Sequence, residues 1–232
     1  MESRLLRINS RFKQPTETNT QFSFIYDGTN VSSIQLLKFA CTRLFPNIFS
    51  PYDTLIIDGQ MITIPTGQYT AAELAAYITS TLHPCEVTAS NKFSFTGFGN
   101  EITPTRLSTI VMGLPDMPVL TPATALNVPS MQGPDPIYVE SNDLALSNCY
   151  DSEDSNGGNI PLVWSIANEA PFGFPISYEA NDPTISQIDV KNGTLSNRRW
   201  SIRLTDMYGH TLTLPDNQYV DIIFKVFYSP NA

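Results

Sequence analysis

Histidine and cysteine are scarce in this chain of 232 residues, and neither is spaced for chemistry. The three cysteines, Cys41, Cys85 and Cys149, are odd in number and far apart. No CxxC or other metal spacing links them, so they read as buried, reduced thiols. Of the two histidines, His83 lies at a predicted helix C-terminus and His210 just after a predicted hairpin turn. Both read as surface residues. The chain contains no G-x-S-x-G elbow, no HExxH pair and no phosphate loop, which excludes the commonest signatures of hydrolases, zinc peptidases and nucleotide-binding enzymes. Gly97-Phe-Gly99 lacks the third glycine and the following helix of a dinucleotide fingerprint, and reads as a turn. Long apolar runs are missing too. No window approaches the roughly 18 consecutive apolar residues that span a bilayer, and the first residues carry no apolar core before a cleavage site. A soluble protein that is not secreted is the expectation.

Charge is low in amount and unevenly placed. Only 15% of residues are charged and the net charge is −9. The first 14 residues hold Arg4, Arg7, Arg11 and Lys13 against Glu2, a net of +3, which leaves −12 on the remainder. An acidic body repels nucleic acid, and no basic stripe with interleaved aromatics runs through it. The basic start, residues 1–20, reads as a flexible arm that contacts protein. The only dense carboxylate cluster is Asp151–Asn159 (DSEDSNGGN). Asp151, Glu153, Asp154 and Asn156 could offer oxygen ligands to Ca²⁺, but their order does not follow the EF-hand loop, so a solvated loop is the simpler reading. Paired carboxylates for glycoside hydrolysis would meet in space and leave no sequence signature. The residues thus supply no catalytic set, no cofactor-binding set and no metal-ligand set.

What is abundant is strand and turn chemistry, with 18 prolines, 13 phenylalanines and 10 tyrosines. These compositions favour strands joined by rigid loops. The organising stretch is 185–228, read as three strands closed by two turns. Trp200, Ile202 and Leu204 share one face against Ser201 and Arg203, the period-2 mark of a half-buried strand. Asp206–Gly209 supplies a turn, and Leu212 and Leu214 alternate with Thr211 and Thr213. In Tyr219–Tyr228, Val220, Ile222, Phe224 and Val226 form one apolar face while Ile223 and Phe227 lie on the other, as expected of a central strand.

Upstream, Gln21–Tyr26 reads as a short strand. Along Ser33–Phe45 the apolar set shifts by one residue, from Ile34 and Leu36 to Leu37, Phe39 and Cys41. That shift predicts a long strand with a bulge, a helix being the competing reading. Thr54–Ile57, Asp58-Gly59 and Met61–Ile64 form a hairpin pattern with a favoured two-residue turn. Thr70 and Glu73 then make a capping box, opening an amphipathic helix at about 70–83 that carries Leu74, Ile78 and Leu82 and stops at Pro84. Cys85–Thr88 and Lys92–Phe95 read as a further strand pair. Leu107–Met112 reads as a short helix ended by Gly113, and residues 115–136, with six prolines, as a long irregular excursion. Ile137–Val139, Ile160–Ile166 and Phe174–Tyr178 return to strands. Eight to eleven short strands without βα alternation predict an antiparallel sandwich or barrel in one domain, 21–232.

Two segments carry a family resemblance. Ile64–Ile78 (IPTGQYTAAELAAYI) resembles the strand, G-x-Y-T-x-x-E-L-A, helix unit of capsid proteins from virophages and Polinton-like viruses. The ending, with 185–188, Trp200–Leu204, Asp206–Gly209 and a last long apolar strand, fits the same group. The whole resembles the minor capsid (penton) proteins of those viruses, in the wider adenovirus-like lineage. The resemblance implies an all-β fold, a single jelly-roll β-sandwich of antiparallel strands with one short inserted amphipathic helix. It also implies a structural, non-enzymatic virion protein, assembled in the host cytoplasm as a homopentamer at the icosahedral five-fold vertices beside the major capsid protein. No catalytic residue, cofactor or metal comes with it. A virus attachment-fibre head or another glycan-binding β-sandwich is the alternative, and a jelly-roll hydrolase stands third.

Overall fold

The computed structural model describes residues 2–26, 31–145, 161–180, 187–189 and 199–228. Among them, strands follow in chain order as β1 (Ser3–Asn9), β2 (Gln21–Ile25), β3 (Val31–Thr42), β4 (Thr54–Ile57), β5 (Gln60–Thr63), β6 (Cys85–Val87), β7 (Phe93–Phe95) and β8 (Glu101–Thr103). They continue as β9 (Val119–Leu120), β10 (Ala123–Thr124), β11 (Ile137–Ala145), β12 (Pro161–Ile166), β13 (Pro175–Glu179), β14 (Gln187–Asp189), β15 (Arg199–Thr205) and β16 (Asp221–Tyr228). Helix α1 (Ala71–Thr81) sits between β5 and β6, and a single wide helical turn covers Leu107–Val111. That makes sixteen described strands against an expected eight to eleven, because several pairs in the middle of the chain are only two or three residues long.

The described chain clusters into two compact units, one from residues 1–45 with 134–232 and the other from 46–133. In the first unit, one sheet has the order β1-β16-β3-β13, with β14 also pairing with β3, and the other has the order β12-β11-β15-β2. All of these pairings are antiparallel. A five-stranded and a four-stranded antiparallel sheet in these orders, with the chain crossing from one to the other, make a jelly roll. The expected all-β jelly-roll sandwich is therefore present, with the second unit inserted between β3 and β11.

Alternation explains each inner face. Trp200, Ile202 and Leu204 of β15 are buried, as are Ile222, Phe224 and Val226 of β16. Full burial of an aliphatic or aromatic side chain of this size stabilises by about 1.5–3 kcal/mol. The two sheets meet through rings: Trp164 of β12 lies 5.0 Å from Phe224 of β16, centroid to centroid. Trp200 takes Phe24 and Tyr26 edge-on at 5.5 and 5.1 Å. Strand β16 is central, flanked by β1 and β3, and its second apolar face is partly covered within the sheet, where Lys225 Nζ sits 5.0 Å over the Phe227 ring.

The bulge in β3 falls where the shifted pattern places it. Lys38 pairs with Ile223 and Leu36 with Phe224, so Leu37 is the extra residue. It lets Ile34 and Leu36 on one side of the bulge, and Phe39 and Cys41 on the other, all reach the core. Local devices in the second unit also match their sequence signals. The β4–β5 turn has φ of 51° at Asp58 and 72° at Gly59, the double positive φ of a type I′ hairpin. At α1, the Thr70 hydroxyl accepts from the Glu73 amide at 3.2 Å while the Glu73 carboxylate accepts from the Thr70 amide at 2.8 Å. Leu74, Ala75 and Ile78 are its buried residues.

Two further expectations change. The basic start, expected as a flexible arm over residues 1–20, places Ser3–Asn9 in β1, paired with β16 from Ser3↔Phe227 to Asn9↔Asp221. Leu6 and Ile8 face the core there, and Arg7 spans to Asp221 in a two-bonded ion pair at 2.8 and 3.0 Å. The segment 211–214 is not a strand; Thr211 makes one bridge to Thr205, and Leu212 and Leu214 are buried as plugs. Residues 46–133 group as a compact unit in which Leu55, Ile57, Leu74, Ile78, Phe93 and Ile102 are buried.

Candidate interaction surface

The residues with chemical potential are dispersed or enclosed. His83 is buried, only 4% exposed, which corrects its reading as a surface group. Its Nδ1 lies 3.2 Å from the Pro84 carbonyl oxygen, and its ring sits 6.2 Å from Phe95. The amide orientation that satisfies Asn100 lets its oxygen accept from His83 Nε2 at 2.7 Å while its nitrogen donates to Asp58 at 3.2 Å. His83 thus ties α1 to the β8 approach. No sequence signal marked this, since the partners lie 17 and 25 residues away in sequence from it (Asn100 and Asp58). Gly97 belongs to the same arrangement, because a Cβ there would fall 2.3 Å from the imidazole.

His210 sits in the β15 turn, with Nδ1 3.0 Å from the Asp206 carboxylate; Asp206 also accepts from the amides of Tyr208 and His210. This is turn architecture. Cys41 and Cys85 are buried, and burial pushes each thiol up to about 12. Among the described residues no three His, Cys, Asp or Glu side chains gather as a metal site. Cys149 and the Asp151–Asn159 loop lie outside the described residues. No described helix is long and apolar enough to cross a membrane.

Two charged clusters stiffen the second jelly-roll sheet. On its outer face Glu140 of β11 faces Arg203 of β15, bonded at 2.7 and 3.1 Å, and takes the Thr205 hydroxyl at 2.7 Å. Near the edge, Glu17 accepts from Arg199 at 2.9 Å, from the Gln14 amide at 2.8 Å and from the Ser23 hydroxyl. Burial pushes the Glu17 carboxyl up, but the bonds from Ser23, Gln14 and Arg199 outweigh it and hold the group below its ordinary value. Both clusters are satisfied within themselves, which suits a structural role.

The surface that stands out is the open edge of the sandwich. Strand β1 ends one sheet and β2 ends the other, and a cleft of about 170 Å³ runs between them. Its floor is apolar, from Leu6, Ile8, Phe22 and Phe24, and its rim holds Phe12, Ile25 and Lys13. Phe12 is 81% exposed and Ile25 80%. Ile25 was legible as an oddity, since it shares a strand face with the polar Gln21 and Ser23; Phe12 was hidden inside a stretch read as a flexible arm. Arg11 and Lys13 make no ion pair among the described residues. Edge strands with exposed apolar side chains are the places where sheets accept another chain.

The described fold is thus that of a jelly-roll protein with an exposed apolar edge between β1 and β2. Among solved structures, the selenomethionine-labelled mavirus penton protein is similar over 98% of this chain and 100% of its own, with a TM-score of 0.54 at 10% identity. At that identity the likeness is one of fold. No protein-family model matches the chain, and no curated protein matches it.

Proposed function

We propose that this chain is a structural capsid protein: a minor capsid, or penton, protein that forms homopentamers at the icosahedral five-fold vertices of a virion and contacts the major capsid protein there. The observation that carries this reading is the end-to-end fold similarity to the mavirus penton protein, which extends over the jelly roll and the inserted unit together. A likeness that covers 98% of this chain and 100% of that one, the second unit included, is more specific than a jelly roll alone, since jelly rolls serve many functions. The reading assigns the protein no catalytic role.

Identical subunits in a ring need two different complementary surfaces and a rotation that closes. Purified protein examined by sedimentation and two-dimensional class averages is expected to give five-fold rings. Protein that stays monomeric at the highest attainable concentration overturns the proposal. Three-fold particles together with specific binding on a glycan array would transfer the assignment to an attachment-fibre head.

A further inference from the structure

Nothing among the described residues covers the open edge between β1 and β2. We infer that this edge, with Phe12 and Ile25 at its rim and Arg11 and Lys13 beside them, receives a second copy of this chain, a deduction that rests on the oligomeric reading above. Three observations converge. Leu6, Ile8, Phe22 and Phe24 line the cleft beside Arg7, Asn9 and Ser23, and Phe12 and Ile25 of the same lining stand in solvent at 81% and 80% exposure. Leaving two large apolar groups beside an apolar cleft costs solubility unless something covers them. β1 and β2 each end their sheet, and a sheet edge is where a further chain can pair.

Charge selects the occupant. Arg4 pairs with Glu2 and Arg7 with Asp221, whereas Arg11 and Lys13 make no ion pair among the described residues; residues 15–232 sum to −12, so another copy supplies the complementary acidic charge. Charge also selects the geometry. A two-fold pairing of this edge with itself would set Arg11 and Lys13 against the same cations of the partner, which is repulsive. The edge must therefore meet a different, acidic surface of the neighbour, which is the head-to-tail contact that generates rings. Nucleic acid, which the same cations could attract, would face repulsion from the acidic remainder.

Two variants of the full chain test this. Phe12→Ser with Ile25→Thr removes the apolar rim, and Arg11→Glu with Lys13→Glu reverses the charge. All four side chains lie at the rim or surface, so circular dichroism and melting should match the wild type. Each variant is expected to weaken assembly by about tenfold or more, as loss of a central apolar anchor or a complementary charge pair does. In mixed ¹⁴N and ¹⁵N protein, a zero-length carbodiimide cross-linker should join Lys13 to a carboxylate of a differently labelled copy. Rings that persist unchanged in both folded variants overturn the inference while leaving the capsid reading standing. Lys13 cross-links found only within single copies overturn it likewise, whatever the variants do. Charge reversal that abolishes only the retention of a single-stranded oligonucleotide, with rings intact, overturns it in favour of a nucleic-acid contact. A wild type that never assembles overturns both readings together.

Discussion

Trp164 and Phe224 stack across the two sheets of the jelly roll at 5.0 Å between ring centroids, tilted by 44°. One comes from an edge strand of one sheet and the other from the central strand of its partner. This pair holds the sandwich shut at its middle, and aromatic contacts of this kind add about 0.5–1.5 kcal/mol beyond the area they bury.

Replacing Phe224, which is 1% exposed, follows from that position. Phe224→Ala should cost about 3–5 kcal/mol in urea unfolding, from lost transfer and the cavity left behind. Phe224→Asp should leave no folded protein, because a carboxylate there has no partner in the core. A Phe224→Asp protein with a cooperative melt and a wild-type near-ultraviolet spectrum would show that β16 is not where the core closes.

Gly97 is set by its neighbour and not by its backbone. A methyl group there would lie 2.3 Å from the His83 ring, and the ring is held by Asn100 and cannot swing away freely. Gly97→Ala should therefore destabilise by about 1–3 kcal/mol, the usual cost of overpacking. His83→Ala should also destabilise, yet the double variant should lose clearly less than the sum of the two, since removing the ring makes room for the methyl. Additive losses in a double-mutant cycle would disprove the contact.

Glu17 gives a pH dependence with a defined sign. Its carboxyl is held below its ordinary value of 4.5 by the bonds from Ser23, Gln14 and Arg199, which outweigh the opposing effect of burial. A group whose folded value is depressed binds its proton more weakly than in the unfolded chain, so it stabilises above about pH 4.5 and loses that contribution as pH falls through the lowered value. Glu17→Gln should lower the melting temperature at pH 7 and flatten the fall in stability between pH 5 and 3. An acid limb identical to the wild type would show that Glu17 does not contribute to it.

The thiols of Cys41 and Cys85 should be inert in the folded protein. Both are buried and pushed up to about 12, so almost no thiolate exists at pH 8. Alkylation with iodoacetamide, mapped by mass spectrometry, should leave both unmodified for hours and label both at once in guanidinium. Rapid native labelling of either one would mean that the strand carrying it opens readily.

Much of the local structure is legible in the sequence alone, as particular residues show. The capping box at Thr70, the type I′ turn at Asp58-Gly59 and the alternation of β15 and β16 depend on residues within a few positions of each other. The bulge at Leu37 was readable for the same reason: a period-2 pattern that slips by one residue has to be absorbed where it slips. What misled was equally specific. Residues 1–14 look like a basic tail by charge, yet Leu6 and Ile8 bring β1 against a strand more than two hundred residues later. Leu212 and Leu214 alternate like a strand but find no neighbour to pair with beyond one bridge.

The sequence by itself determined the strands and turns that carry a local pattern, such as β15, β16 and the Asp58-Gly59 hairpin, together with the amphipathic inserted helix and the lack of a familiar catalytic motif, because those properties reside in short-range pattern and composition. Tertiary structure alone decided the strand order of the two sheets, the burial of His83 against Asn100, and the exposure of Phe12 and Ile25 at an open edge. Each of these depends on which distant segments meet, and that is settled by the packing of the whole chain and not by any one stretch of it.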